Sequence, residues 1–249
     1  MIKKYLLLFF TFIGFTSIIF SQSVENEKVI HVVYKMAKYD GENSEQRNKL
    51  NPEMKQIAND FDKAIAETEM DLFFNKTKSI FKKKEGLNQE GFANRFIDAY
   101  IGGQLYYRDI ESKEKIKQID FSGEKFNVIN SFEEYKWNIT NESKEINGFK
   151  CYMATTHLSV FSKQKNKTIE TDITVWFTPS IPYSFGPRGF DGLPGLVVEG
   201  SANGKIYFYA STIDLDYKDK KIDFEKPKTG KYVTPEELEN IQVKVLNQD

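Results

Sequence analysis

The stretch Ile146-Asn147-Gly148-Phe149-Lys150-Cys151-Tyr152-Met153-Ala154-Thr155-Thr156-His157-Leu158-Ser159-Val160-Phe161 sets the fold class. Asn-Gly is a strong two-residue hairpin signal because both residues tolerate positive φ. The residues after it are rich in β-branched and aromatic side chains on both parities, so they read as one long, partly buried strand. Further strand patterns flank it. Asp172–Thr178 alternates, with Ile173, Val175 and Phe177 on one side and Thr174, Trp176 and Thr178 on the other. Leu196–Glu199 and Lys205–Leu215 follow, separated by Ser201-Ala202-Asn203-Gly204.

Upstream, Val29–Tyr39 places Ile30, Val32, Tyr34 and Met36 on one face at period two. Asp71–Phe74 and Ser79–Lys83 flank Asn75-Lys76-Thr77 as a short hairpin, and Leu105–Ile110, Ile116–Phe121, Lys125–Ile129 and Trp137–Thr140 are further short strands. The helix signals are fewer. Asn51 as N-cap and Pro52 at the first position open a helical spacing of Met54, Ile57, Ala58, Phe61, Ala64 and Ile65. Near the end, Thr234-Pro235-Glu236-Glu237 is a capping box followed by Leu238, Ile241 and Val245 on one face. In residues 85–104 Phe92, Phe96, Ile97 and Tyr100 have the spacing of a short helix, but Gly86, Gly91, Gly102 and Gly103 punctuate the stretch, which is read as mostly loop. The expected fold is therefore mainly β (α+β), a curved antiparallel sheet with one or two packed helices.

Lys3 and Lys4 precede the apolar run Leu6–Phe20, which ends at Ser21-Gln22-Ser23. The run has the order of an export signal and is too short for a membrane span of roughly 20 residues. Residues 1–21 are expected to be a signal peptide and 22–249 a single β-rich domain. With no cysteine near the cleavage point, the mature chain is expected to be periplasmic or secreted and not a lipoprotein. Removing Lys3 and Lys4 leaves 33 of the 35 basic residues against 36 acidic ones. That balance gives no basic footprint for nucleic acid, and no later run is apolar enough for a membrane span.

Two histidines and one cysteine supply neither an internal disulfide nor a histidine- or cysteine-based metal centre, and no calcium-loop rhythm is present. There is no Gly-x-Ser-x-Gly elbow and no glycine-rich phosphate loop. Cys151 and His157 lie about 20 Å apart along one extended strand and cannot pair. Cys151 reads as a small buried hydrophobe, with an accessible, oxidisable thiol as the alternative. The lysine runs at 82–84 and 218–221 read as solvated surface, with a polyanion site as the alternative. No catalytic residue, metal ligand or cofactor is assigned.

The segment Ile181–Leu196 places Gly186, Gly189, Gly192 and Gly195 every third residue, with Pro182, Pro187 and Pro194 between them. It is too short for a collagen-like triple helix and reads as an ordered loop anchored by Phe185, Phe190, Leu193 and Leu196. Trp176-Phe177-Thr178-Pro179-Ser180-Ile181-Pro182, Gly186-Pro187, Phe190 and Gly192-Leu193-Pro194-Gly195-Leu196-Val197 resemble the signature block of the GLPGLI family of exported Bacteroidetes proteins. Trp137, Ile146–Cys151 and Ala154-Thr155-Thr156 resemble that family's lead-in. Val197 stands where the family name has isoleucine.

The resemblance implies export from a Bacteroidetes-type cell and supplies no activity. Its motif residues are expected to form a rigid loop feeding a strand, with Arg188 and Asp191 as charged groups available for partner contact. The expected function is an exported non-catalytic binding or structural protein of the bacterial envelope. Its candidate partners are an apolar ligand or an envelope protein, reached through an aromatic-rich face such as Tyr207 and Tyr209. A hydrolase-like enzyme with polar groups near the glycine-rich loop, and an accessory partner of an outer-membrane complex, are the alternatives.

Overall fold

The computed structural model describes residues 28–39, 47–84, 91–218 and 222–247. The expected signal peptide lies outside the described residues. Among the described residues, twelve strands form a single sheet that does not close on itself, and three helices accompany it.

The first described elements are β1 (Val29–Lys38), α1 (Pro52–Glu67), β2 (Glu69–Phe74) and β3 (Lys78–Lys83). Then come α2 (Phe92–Ile101), β4 (Leu105–Asp109), β5 (Glu114–Phe121) and β6 (Glu124–Ile129). A hairpin arm follows, made of β7 (Asn138–Ile146), β8 (Phe149–Ser162) and β9 (Lys167–Thr178). The last elements are β10 (Leu196–Ser201), β11 (Ile206–Tyr217), β12 (Lys231–Val233) and α3 (Pro235–Leu246). Spatial order is β12-β6-β5-β4-β3-β2-β1-β11-β10-β9-β8-β7. Among the described residues only the β12–β6 pair is parallel.

Local signals explain the joints. Asn147 and Gly148 have φ of 52° and 77° at the β7–β8 turn, as the dipeptide predicts. The Asn75 side chain accepts from the backbone N–H groups of Thr77 and Lys78, which fixes the β2–β3 turn. Asn51 caps α1 by accepting from Met54 N–H, and Thr234 and Glu237 form the reciprocal capping box of α3.

Residues 92–101, expected to be loop, are the helix α2. Gly91 precedes its first turn and Gly102, at φ 81°, ends it in the left-handed conformation. The glycines bracket the helix instead of interrupting it, and Ile97 and Ile101 are buried beneath it. The mainly β sheet with packed helices is as expected, with a third helix among the described residues. The short strand β12 was also not anticipated; three residues carry too little periodicity to stand out.

One sheet face holds the main core. Ile30, Val32, Tyr34 and Met36 of β1 lie there with Met70, Leu72 and Phe74, Phe81, Phe177 and Phe208. α1 turns only its end inward: Ala64 and Ile65 are buried, whereas Met54 and Ile57 remain exposed. On the other face Ile80, Tyr107 and Ile116 form a smaller cluster against Phe224.

The sheet curls so far that its two halves meet through side chains. At the β8–β9 turn, the Lys163 amine lies 2.9 Å from the Glu236 carboxylate, and the Lys163 N–H donates to Glu239 at 2.7 Å. Both acids belong to α3, whose Leu238 packs on Phe126 and Val128 of β6. The arm thus reaches the opposite flank of the sheet without any strand pairing between them.

Candidate functional site

The glycine-rich loop between β9 and β10 lies on the core face. Phe185, Phe190, Leu193 and Leu196 are all buried, and Phe185 packs against Phe74 of β2. Two of its glycines are required by close approach. A Cβ on Gly195 would lie 2.2 Å from the Thr178 carbonyl oxygen, and one on Gly186 would lie 2.4 Å from the Phe190 carbonyl oxygen. Within the motif, Gly192 and Pro194 are exposed while Leu193, Gly195, Leu196 and Val197 are buried, and Pro187 opens a single short helical turn through Gly189.

Asp191, expected at a contact surface, is 4% exposed. Its carboxylate meets the guanidinium of Arg108 and, at 3.1 Å, the amine of Lys115. Lys115 also meets Glu134 at 2.7 Å and donates to the Gly189 carbonyl at 3.1 Å. Burial pushes the Asp191 carboxyl upward against the opposing pull of Lys115 and Arg108. Aromatic rings complete the enclosure: Arg108 lies 4.0 Å from the Phe132 ring centre and Lys115 4.4 Å from that of Tyr135. Trp137 donates its indole N–H to the Asp191 carbonyl at 2.7 Å. The void among these groups is about 10 Å³, the size of one water. Asp191 therefore locks the loop onto β4 and β5 and is removed from any partner.

Arg188 is half-buried and holds φ 56°, an uncommon conformation for a side chain of its size. Its Nε donates to the Ile101 carbonyl at the end of α2, at 3.2 Å. It ties the loop to that helix.

The other singled-out groups are dispersed. His157 stands exposed on β8 between Asp172 (2.7 Å) and Glu170 (2.8 Å). His31 pairs with Asp71 at 2.7 Å and stacks on Phe73. Cys151 is buried, and burial pushes its thiol up to about 11. Among the described residues no cluster of histidine, cysteine or carboxylate side chains is arranged to hold a metal ion.

Two surfaces remain accessible. On the outer face, Tyr39 stacks on Tyr207 at 4.4 Å between ring centres, and Tyr207 lies 5.9 Å from Tyr209. Glu199 joins this row by accepting from the Tyr39 hydroxyl at 3.3 Å and pairs with Lys144 (2.8 Å), whose amine lies 4.4 Å from the Trp176 ring centre. The second surface is a groove of about 710 Å³ between α2 and the ends of β3, β4 and β5. Lys82, Lys83, Lys84 and Arg95 line it together with Asp98 and Asp120, and Ala99, Ile101 and Leu105 supply apolar surface. The lysine run at 82–84, expected to be plain solvated surface, is one wall of this groove. Sequence reading could not find it, because its walls come from segments whose meeting depends on helix α2, read as mostly loop.

A family described as a protein of unknown function, Porph_ging, matches residues 159–199, from the end of β8 through β9 and the glycine-rich loop into β10. No curated protein matches the chain. Two solved structures of PNGF-II are similar in fold. The C2 crystal form gives a TM-score of 0.50 at 15% identity over 88% of this chain and 32% of that one. The P21 form gives 0.51 at 14% identity over 86% and 33%. The chain thus spans about a third of PNGF-II, and at such identity the likeness concerns architecture alone. Among the described residues no helix is long and apolar enough to cross a membrane.

Proposed function

We propose that this chain is an exported, non-catalytic binding protein of the bacterial envelope, of the GLPGLI type, with residues 1–21 as its signal and 22–249 as one domain. Its ligand seat is the groove between α2 and the ends of β3–β5. The observation that supports this reading is the groove's size, about 710 Å³, within the range of roughly 300–1,000 Å³ typical of small-molecule sites. Asp191 of the glycine-rich loop is consumed in ion pairs around a void of about 10 Å³, which supports a structural part for it.

The test is a groove-filling substitution. Ala99 is exposed on α2 and lines the groove, so Ala99→Trp should fold normally and occupy part of it. The fluorescent probe 1-anilinonaphthalene-8-sulfonate should bind the wild-type protein and lose at least tenfold in affinity for Ala99→Trp. Equal binding by both proteins would remove the groove as the seat.

A second reading places a partner protein on the outer face. It is favoured by the partly exposed row Tyr39, Tyr207 and Tyr209, since tyrosine is enriched at protein interfaces.

A further inference from the structure

Among the groove-lining residues, charge is unevenly matched. Lys83 pairs with Asp98 at 2.6 Å, Lys84 with Glu69 at 3.0 Å, and Asp120 accepts from the Gln104 amide. Lys82 and Arg95 are exposed and pair with no carboxylate among the described residues. The lining therefore holds four cations against two anions.

A second, independent feature adds to this. Gly102 and Gly103 also line the groove, and behind them lie the Arg188 guanidinium and the methylene stem of Lys117. A Cβ on Gly103 would lie 2.8 Å from Lys117 Cγ, and one on Gly102 would lie 3.6 Å from Arg188 Nη2. Neither Lys117 nor Arg188 pairs with a carboxylate among the described residues. Lys117 is half-buried, and burial, followed by Arg188, pulls its amine below the ordinary lysine range. A cleft with low-dielectric walls and charge of one sign concentrates field lines and raises the local concentration of counter-ions.

We infer that the groove takes a small ligand bearing two or more anionic groups, phosphate or carboxylate, with Lys82 and Arg95 as its direct contacts. Gly102 and Gly103 keep the groove clear of side chains between the ligand and the Lys117–Arg188 pair. The apolar surface of Ala99, Ile101 and Leu105 receives the uncharged part of the ligand. This inference rests on the groove being the binding seat.

Calorimetric titration with pyrophosphate and with citrate, at low and at high salt, tests it on the wild-type protein and the double variant Lys82→Gln/Arg95→Gln. Both substituted residues are exposed, so folding is not at stake. Binding of at least one probe, weakened by salt and at least tenfold by the double substitution, is expected. Pyrophosphate alone would identify a phosphate ligand, citrate alone a carboxylate ligand, and both together recognition of charge. No heat with either probe, or equal affinity in the double variant, would overturn the inference. Should Ala99→Trp still abolish binding of the fluorescent probe in that case, the groove stands as a seat for a different chemistry. Failure of that experiment instead removes the seat itself.

Discussion

The Tyr34 hydroxyl, on the first strand, donates to the carbonyl oxygen of Val197, the last residue of the glycine-rich motif, across 163 positions of sequence. Both residues are fully buried. Val197 sits where the β9–β10 pairing shifts register, so a side chain from β1 reaches a backbone group beside an irregularity in the ladder. Burial raises the Tyr34 hydroxyl well above its ordinary pKa, which keeps it a proton donor at all physiological pH.

Tyr34→Phe should therefore cost about 1–3 kcal/mol, the typical penalty for leaving a buried polar group without its partner. Urea unfolding measures it through a lower midpoint at unchanged slope. A cost near zero would mean that the carbonyl finds another donor.

Gly195→Ala should cost more, at least about 2 kcal/mol, because the new methyl meets backbone that has no freedom to yield. The obstructing Thr178 ends β9 and donates its hydroxyl to the Lys150 carbonyl at 3.0 Å. Gly123→Asn is the control. Gly123 has φ 79° with no atom within 4 Å of where a Cβ would stand, and asparagine tolerates that conformation, so its cost should stay within about 1 kcal/mol. Thermal unfolding of the two variants side by side separates lack of space from backbone strain.

How far the sequence could be read follows from the range of each signal. Asn147-Gly148, the Asn51-Pro52 start and the Thr234–Glu237 box act within four residues, and each appears where expected. Helix α2 was hidden because Gly91 and Gly102, which cap it, resemble breakers when the pattern between them is only ten residues long. The ion pairs of Asp191 were hidden for another reason. Arg108 and Lys115 come from strands far upstream, and nothing local distinguishes a buried carboxylate from a solvated one. The hydrophobic anchors of the loop were legible, whereas the charges beneath it required the topology.

Cys151 offers a direct check on burial. With its thiol enclosed and its pKa pushed up to about 11, the thiolate is scarce at pH 8 and shielded as well. Alkylation by iodoacetamide, followed by mass spectrometry, should be at least a hundredfold slower in the native protein than in guanidinium. Comparable rates would show the thiol to be accessible and would revive a redox role.

His157 is the group through which pH should act on the hairpin arm. Hydrogen bonds to Asp172, then Glu170, raise its pKa above the ordinary value of 6.5, because both carboxylates favour the imidazolium. A histidine whose folded value is raised contributes stability below its unfolded pKa and loses that contribution as pH rises through the folded value. The window therefore opens near about 6.5 and extends upward. Since the ring is exposed, solvent screens the pair, and the effect belongs to the titration more than to global unfolding. NMR of the imidazole C–H signals should place the His157 midpoint above 6.5 in the wild-type protein. In Glu170→Gln/Asp172→Asn the midpoint should return towards 6.5. A His157 midpoint that does not move in the double variant would show that the bridge across β8 and β9 is absent in solution.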